Sequence, residues 1–336
     1  MSEKVTVLMN AVTFQVTFEK RGARGATIKI YNSRMIARTY AFIYGIPFTK
    51  ESFLNGATAI SDPFKDLKLP YEFPLIVSDT AVKDLAFVKS ALQKSIRRGN
   101  VNQALSCAKT MMCINTKSFL RRLVVIAAED VFFNQHCFPI IWFHKMISME
   151  CFHLSKRHVD WILGFVKQLC EEPRFVDYGK DPKLQSCGNM EINTEMINLF
   201  LNATDLMEGD AKMLKWYHNN AKEWEHLPIP KVEFVDVETV EYITVRDFPL
   251  EAVDFHTNAR MPSMILSRLQ KSMKDSFTEE EIKYLIWTCR SSVNIRKQAL
   301  ASEQDMTNYR LIENHVEAIS KLLLHRKQEL NKLGGN

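Results

Sequence analysis

Residues 85–131 read LAFVKSALQKSIRRGNVNQALSCAKTMMCINTKSFLRRLVVIAAEDV, and their apolar side chains recur at the spacing of helices that bury one face. The first helix is marked by four apolar residues three or four positions apart, namely Leu85, Val88, Leu92 and Ile96. Gly99 predicts the end of this helix, because glycine readily adopts the left-handed backbone that terminates helices. Two further helices are expected over residues 101–112 and 118–128. The stretch therefore predicts the first three helices of a bundle.

Helical periodicity continues through most of the remaining chain. Further helices are expected over residues 138–154, 158–169, 191–202, 210–224, 261–274, 278–289 and 307–333. Residues 227–249 contain three prolines around a β-branched run, which predicts an extended segment or a small sheet that braces the helices. Its acids could form a counterface to the basic residues between Lys83 and Arg122. We therefore predict a predominantly α fold built as a multi-helix bundle.

The N-terminal residues follow another pattern. Apolar and polar side chains alternate within residues 4–18, which is typical of half-buried strands. Residues 20–25 are basic and contain two glycines, so they predict a turn, and residues 26–31 predict a return strand. The chain is thus expected to divide into three parts. These are a small hairpin-containing α+β unit over residues 1–78, the helical bundle over 79–226, and the brace with the C-terminal helices over 227–336.

Composition indicates a folded protein and excludes several classes. Of 336 residues, 46% are hydrophobic and 25% are charged, which excludes a disordered or fibrous chain. No apolar stretch approaches the roughly 18 residues that a bilayer span needs, so no contact with a membrane is expected. The seven cysteines form no CxxC pair and no leader peptide is recognisable, which predicts an intracellular, reducing compartment such as cytoplasm or nucleus.

Positive charge is concentrated in one segment. The whole chain carries 44 basic and 39 acidic residues, a net charge of +5. Between Lys83 and Arg122, however, the sequence contains nine basic residues and a single acid, Asp84. Such a cluster can neutralise phosphates and release counterions, or it can form solvated helix faces and internal ion pairs. The candidate nucleic-acid contacts in this segment are Lys94, Arg97, Arg98, Arg121 and Arg122.

Motifs of known chemistry are scarce. The phosphate-binding loop GxxxxGK[ST], the dinucleotide motif GxGxxG and the zinc motif HExxH do not occur, and no cofactor is expected. Irregular spacing argues against a metal site among His136, Cys137, Cys151 and His153. Asp254 and His256 could share a face of an extended segment, with the carboxylate orienting a basic imidazole. The same pair could equally be a capping or core hydrogen bond.

Two stretches carry a family resemblance. They are SALQKSIRRGN with QAL, over residues 90–105, and RRLVVIAAEDV over residues 121–131. In order and approximate spacing, residues 85–145 resemble the helical C-terminal region of the replication-associated recombination ATPases, which are clamp-loader-like AAA+ proteins. The resemblance implies an assembling helical module in a replication or repair context. Because the phosphate-binding loop is absent, it does not imply ATP hydrolysis.

Three functions follow as expectations. The first is a non-catalytic accessory protein of replication or repair that binds a protein partner, and DNA through its basic helices. The second is an enzyme of unrecognised class acting on nucleic acid with Asp254 and His256. The third is a purely structural assembly subunit. A homo-oligomer is also expected, through the apolar stripe of the C-terminal helix that includes Leu322 and Leu323.

Overall fold

The structure is a computed structural model of the chain, and it describes five short strands near the N-terminus. It also describes residues 70–74, 76, 80–131, 134, 136–148, 153–173, 231–270, 273, 276–293 and 301–333. The strands are β1 (Val5–Met9), β2 (Val16–Lys20), β3 (Ile28–Lys29), β4 (Ala41–Ile43) and β5 (Ile46–Phe48). β1 pairs antiparallel with both β2 and β3, while β4 pairs with β5. The predicted return strand is thus represented by β3, whose partner is β1. An α+β unit over residues 1–78 stays a prediction.

Two long helices begin the bundle. α1 spans Leu85–Arg97, and its N-terminus is capped by Asp84, whose carboxylate accepts a hydrogen bond from the Phe87 amide at 3.1 Å. The predicted end at Gly99 is confirmed, because this glycine has a φ of 67°. α2 spans Val101–Asp130, and the non-helical backbone of Asn115, with a φ of −160° and a ψ of 90°, divides it into two helical segments. These segments correspond to the two helices expected from the sequence.

Two further helices are described in the first half of the bundle. α3 spans Cys137–Ser148 and is shorter than the prediction of residues 138–154. Leu154 lies outside any helix, because Ser155 and His158 form the capping box that begins α4 (Lys156–Glu171). α2 packs against α1, α3 and α4, and thereby forms the centre of this half of the molecule.

The brace connects to this half through backbone and side chains. Lys109 of α2 is buried, and its ammonium donates to the carbonyl oxygens of Val237 at 2.9 Å and Val240 at 2.6 Å. The expected counterface of brace acids is directed elsewhere. Asp236 pairs with Lys156 and Glu233 pairs with Lys167, so these two acids contact α4 and not the basic segment.

In the C-terminal half, the structure describes three α-helices and a π-helical turn. α5 spans Met261–Arg268, α6 spans Glu279–Ile286, and the π-helical turn covers Trp287–Ser291. α6 begins with a capping box that Thr278 and Glu281 form, next to the start predicted at residue 278. α7 spans Glu303–Leu333 and begins four residues before its predicted start, because Ser302 accepts a hydrogen bond from the Asp305 amide at 3.1 Å.

One hydrophobic core joins both halves, and the C-terminal stripe belongs to it. The core includes the α7 residues Ile312, Val316, Ile319, Leu323 and Leu324, together with residues of α1 to α6. Leu322 is only partly buried against the core, and Leu311 and Leu330 are exposed. Most of the stripe that was expected to join two chains is therefore satisfied within one chain. A homo-oligomer stays a prediction.

Several expectations fall outside the described residues. The helices predicted over residues 191–202 and 210–224, and the boundary near residue 226, lie there. Among the described residues, no helix combines the length and the apolar character that crossing a bilayer would require. The described helices nevertheless make the fold predominantly α, as the sequence predicted.

Candidate functional site

Lys94, the first of the predicted nucleic-acid contacts, lies inside the protein. Its ammonium is 2.7 Å from Oδ2 of Asp254, and it also donates to Oγ of Ser90 at 2.9 Å. Asp254 is fully buried. Burial alone would raise the pKa of Asp254, but the hydrogen bond with His256 and the charge of Lys94 outweigh it and hold this pKa well below its usual range. The ion pair therefore fastens α1 to the turn after residue 252.

Arg97 and Arg98 are also engaged with the protein itself. Arg97 donates two hydrogen bonds to Asp130, from Nε to Oδ1 at 2.7 Å and from Nη2 to Oδ2 at 3.3 Å. Its Nη1 donates to the carbonyl oxygen of Ser291. Arg98 donates to the carboxylate of Glu251 and to the carbonyl of Arg290. These three cations each form an internal ion pair, Lys94 with Asp254, Arg97 with Asp130 and Arg98 with Glu251. Lys94, Arg97 and Arg98 thus connect α1 with α2 and with the C-terminal half.

Arg121 and Arg122 lie together with a third cation, Lys89. Burial lowers the pKa of Lys89, and the charges of Arg122 and Arg121 lower it further, so the three groups are within Coulombic range of one another. We call Lys89, Arg121 and Arg122 the cationic patch. Arg122 donates through Nη2 to Oε1 of Gln93, while its Nε is buried without a hydrogen-bond partner. The patch joins the middle of α1 to the second half of α2.

The structure brings Asp254 and His256 together as expected, although not on an extended segment. Both lie in a tight turn, in which the His256 amide donates to Oδ1 of Asp254 at 2.9 Å. The imidazole Nδ1 is 3.3 Å from Oδ2 of the same carboxylate. Because the ionised carboxylate can only accept, Nδ1 is the donor and Nε2 is left as the basic nitrogen. The His256 side chain is 55% exposed, so a reactant could approach it.

An exposed indole lies beside this pair. Trp287 begins the π-helical turn and is 39% exposed. The centroid of its ring is 5.2 Å from that of His256, and the guanidinium carbon of Arg97 is 5.7 Å from the ring centroid. Phe255 packs against His256 with ring centroids 4.2 Å apart. π-helical turns occur often at functional sites, where they change the direction of side chains.

The polar surroundings of His256 limit its chemistry. Within the part of the chain that the structure describes, the only hydrogen-bond partner of the imidazole is Asp254. A hydroxyl or thiol that His256 could activate as a nucleophile is therefore not held against it by the described residues. Among the described residues, Asp254 and His256 thus resemble the orienting acid and the base of a catalytic site, but no nucleophile completes the set.

Two of the four residues named for a metal site, His136 and Cys137, have other surroundings in the described structure. Nδ1 of His136 is hydrogen-bonded to Gln168 at 3.0 Å, and the thiol of Cys137 is buried in the core. Cys151 lies outside the described residues. Across the ranges that the structure describes, no three His, Cys, Asp or Glu side chains come together as ligands.

Sequence reasoning missed two features of this region. Trp287 was not a candidate, because its proximity to His256 depends on a contact between residues 31 positions apart. Lys89 was counted among the basic residues but was not distinguished from Lys94. Their spacing of five places them on different faces of α1, and this was the one signal that could have separated them.

Neither a protein-family model, nor a curated protein, nor a solved structure matches this chain. The resemblance of residues 85–145 to the clamp-loader-like ATPases consequently stays a prediction.

Proposed function

We propose that the protein is a non-catalytic nucleic-acid-binding protein whose cationic patch contacts the phosphate backbone. The observation that supports this best is the convergence of Lys89, Arg121 and Arg122 at one place on α1 and α2. Folding has brought like charges together there, at a cost in repulsion that binding to a polyanion would relieve. A role as a replication or repair accessory, with a protein partner, rests on the resemblance of residues 85–145.

The basic residues differ in burial, and this difference determines which of them a phosphate could reach. Lys94 and Arg97 are buried and hold carboxylates, so a phosphate could reach them only by breaking an internal ion pair. Arg121 is exposed, and Lys89 and Arg122 are half-buried. The proposed phosphate contacts are therefore Lys89, Arg121 and Arg122, whereas Lys94, Arg97 and Arg98 maintain the bundle.

A salt series on a triple variant tests the proposal. Binding of fluorescein-labelled DNA is measured by anisotropy for the wild type and for Lys89→Gln with Arg121→Gln and Arg122→Gln. Each lost phosphate contact removes about 0.7 to 0.9 from the slope of log affinity against log salt, so the slope should fall by about 2 to 3. The matched control is Arg310→Gln with Lys321→Gln and Arg326→Gln, which removes three exposed charges from α7.

The control should keep the wild-type slope, since it changes the net charge equally but leaves the cationic patch intact. Equal slopes for the wild type and the patch variant would place the phosphate contacts elsewhere. A wild-type protein that binds neither a single strand nor a duplex at low salt would refute the proposed function altogether.

An enzyme acting on nucleic acid is the second candidate, and the 3.3 Å contact between Asp254 and His256 favours it. In that role Nε2 of His256 would accept a proton from an attacking hydroxyl or water, while Asp254 stabilises the imidazolium that forms. The test is incubation of the protein with labelled single strands and duplexes. A product that the wild type forms and His256→Gln does not form would make this candidate the better one.

A further inference from the structure

One face of α1 carries a continuous polar line between two distinct surface features. Lys89, Gln93 and Arg97 are spaced by four residues, so they follow one another along the same face of the helix. Lys89 belongs to the cationic patch at one end of the line. Arg97 contacts Trp287 at the other end. Eight residues separate the two ends, which at 1.5 Å per residue corresponds to about 12 Å.

Gln93 links the two ends through hydrogen bonds. It accepts from Arg122 of the cationic patch and donates through Nε2 to Oε2 of Glu129 at 3.0 Å and to Oδ2 of Asp130 at 2.7 Å. Asp130 in turn holds Arg97. The α2 acids Glu129 and Asp130 are thus both bound to side chains of α1, and Asp130 is buried as well. Arg121 of the cationic patch is the most exposed charge here, while Lys89, Arg122 and Glu129 are half-buried.

The aromatic end offers a different kind of contact. Trp287 exposes 39% of its surface, and its ring is held in place between His256 and the guanidinium of Arg97. Arg97 cannot rotate away, because its other nitrogens are bound to Asp130 and to the carbonyl of Ser291. An indole fixed in this way can stack on a planar ligand without losing much conformational entropy.

We propose that the cationic patch and Trp287 form one binding surface for single-stranded nucleic acid, in which the patch contacts phosphates and Trp287 stacks on an unpaired base. Successive nucleotides of one stacked strand rise about 3.4 Å along the helix axis, so about 12 Å covers a few nucleotides. Bases of a duplex are stacked on each other and cannot reach the indole. This inference rests on the proposed function and adds to it a preference for single strands.

The experiment compares a labelled oligothymidylate with an abasic strand of the same length and charge. The wild type should bind the oligothymidylate about 5- to 150-fold more tightly, because stacking of one base on an aromatic ring contributes about that factor. Trp287→Ala should bind both strands equally, with the salt slope of the wild type, since it keeps every phosphate contact. Trp287→Phe should retain most of the difference, because it keeps an aromatic face.

The matched control is Phe234→Ala. Phe234 is a second exposed aromatic residue, 42% exposed, and it too has an arginine over its ring, with the guanidinium carbon of Arg157 5.1 Å from the centroid. It lies in the brace between Glu233 and Asp236 and is not part of the cationic patch. Its removal should leave the affinities for both strands unchanged.

The outcomes separate the two proposals. If the wild type binds the two strands equally and its affinity still depends on the cationic patch, the stacking site is refuted while the proposed function stands. Failure of the wild type to bind either strand or a duplex refutes both. Because the comparison of strands uses the wild-type protein, it remains decisive even if circular dichroism shows that Trp287→Ala is unfolded.

Discussion

At the scale of single residues, the main feature is the pairing of buried charges along α1. Arg97 and Asp130 are both almost fully buried and meet in a bidentate contact. Such a pair adds little net stability compared with a well-packed apolar pair, since both groups lose their hydration. Removal of one partner is costly, because the other is left buried without compensation.

Arg97→Met should therefore lower the free energy of unfolding by about 3–5 kcal/mol. Urea denaturation followed by circular dichroism measures the change. The control is Arg121→Gln, an exposed arginine, which should change the stability by less than about 0.5 kcal/mol. Equal stabilities of Arg97→Met and the wild type would mean that Asp130 gains water or another partner when Arg97 is absent.

At the scale of elements, the contact between α4 and the brace depends on a glycine. Gly164 lies in the middle of α4, where glycine is normally unfavourable, and a Cβ atom there would lie 1.8 Å from the carbonyl oxygen of Glu233. The brace is fixed at this place by two hydrogen bonds. The amide of Val235 donates to the carbonyl of Asp160 at 3.0 Å, and the amide of Val237 donates to its carboxylate at 2.9 Å. Gly164 therefore permits an approach of two backbones that no other residue would allow.

Gly164→Ala should destabilise the protein by about 1–3 kcal/mol, even though alanine is the better helix former by about 1 kcal/mol. The overlap is with backbone atoms, so no rotation of a side chain can relieve it. Thermal unfolding measures the effect, with Glu171→Ala at the exposed end of α4 as the control. A gain in stability for Gly164→Ala would show that the brace can move away from α4 without loss.

At the scale of the whole molecule, a buried histidine connects folding with pH. His158 of α4 is buried, and its Nδ1 accepts a hydrogen bond from the Ser155 amide at 2.9 Å. Burial, with a smaller contribution from the charge of Arg157, lowers the pKa of His158 to about 3. The unfolded chain has the ordinary histidine pKa of about 6.5, so below that pH it binds a proton that the folded chain does not. Stability is complete above pH 6.5 and is lost as the pH falls toward 3.

The free energy of unfolding should decrease by about 2 kcal/mol between pH 8 and pH 5 through His158 alone. His158→Gln should remove this part of the decrease, and glutamine can still serve as the third residue of the capping box. Denaturant titrations at several pH values measure it. His325→Gln, at an exposed position of α7, is the control and should keep the wild-type pH dependence. A His158→Gln profile parallel to that of the wild type would contradict the assignment.

Local features were predicted well from the sequence, and features that depend on distant contacts were not. The end of α1 at Gly99 and the start of α6 beside Thr278 depend on neighbours within four residues, and the structure confirms both. α7 begins at Glu303 and not at the predicted residue 307, because Ser302 caps it. The proximity of Trp287 to His256 had no local signal, since it depends on how α6 and the following turn pack against the loop after residue 252.

Lys89 and Lys94 show the difference between what the sequence of α1 determines and what tertiary contacts determine. The amphipathic spacing of α1 is a property of neighbouring residues, so the sequence by itself determined that both lysines lie on a helix. Only the tertiary structure decided that Lys94 is buried on Asp254, 160 positions away, while Lys89 joins Arg121 and Arg122 in the cationic patch. The physical reason is that the energy of a charge depends on what surrounds it, and its surroundings exist only after the helices have packed.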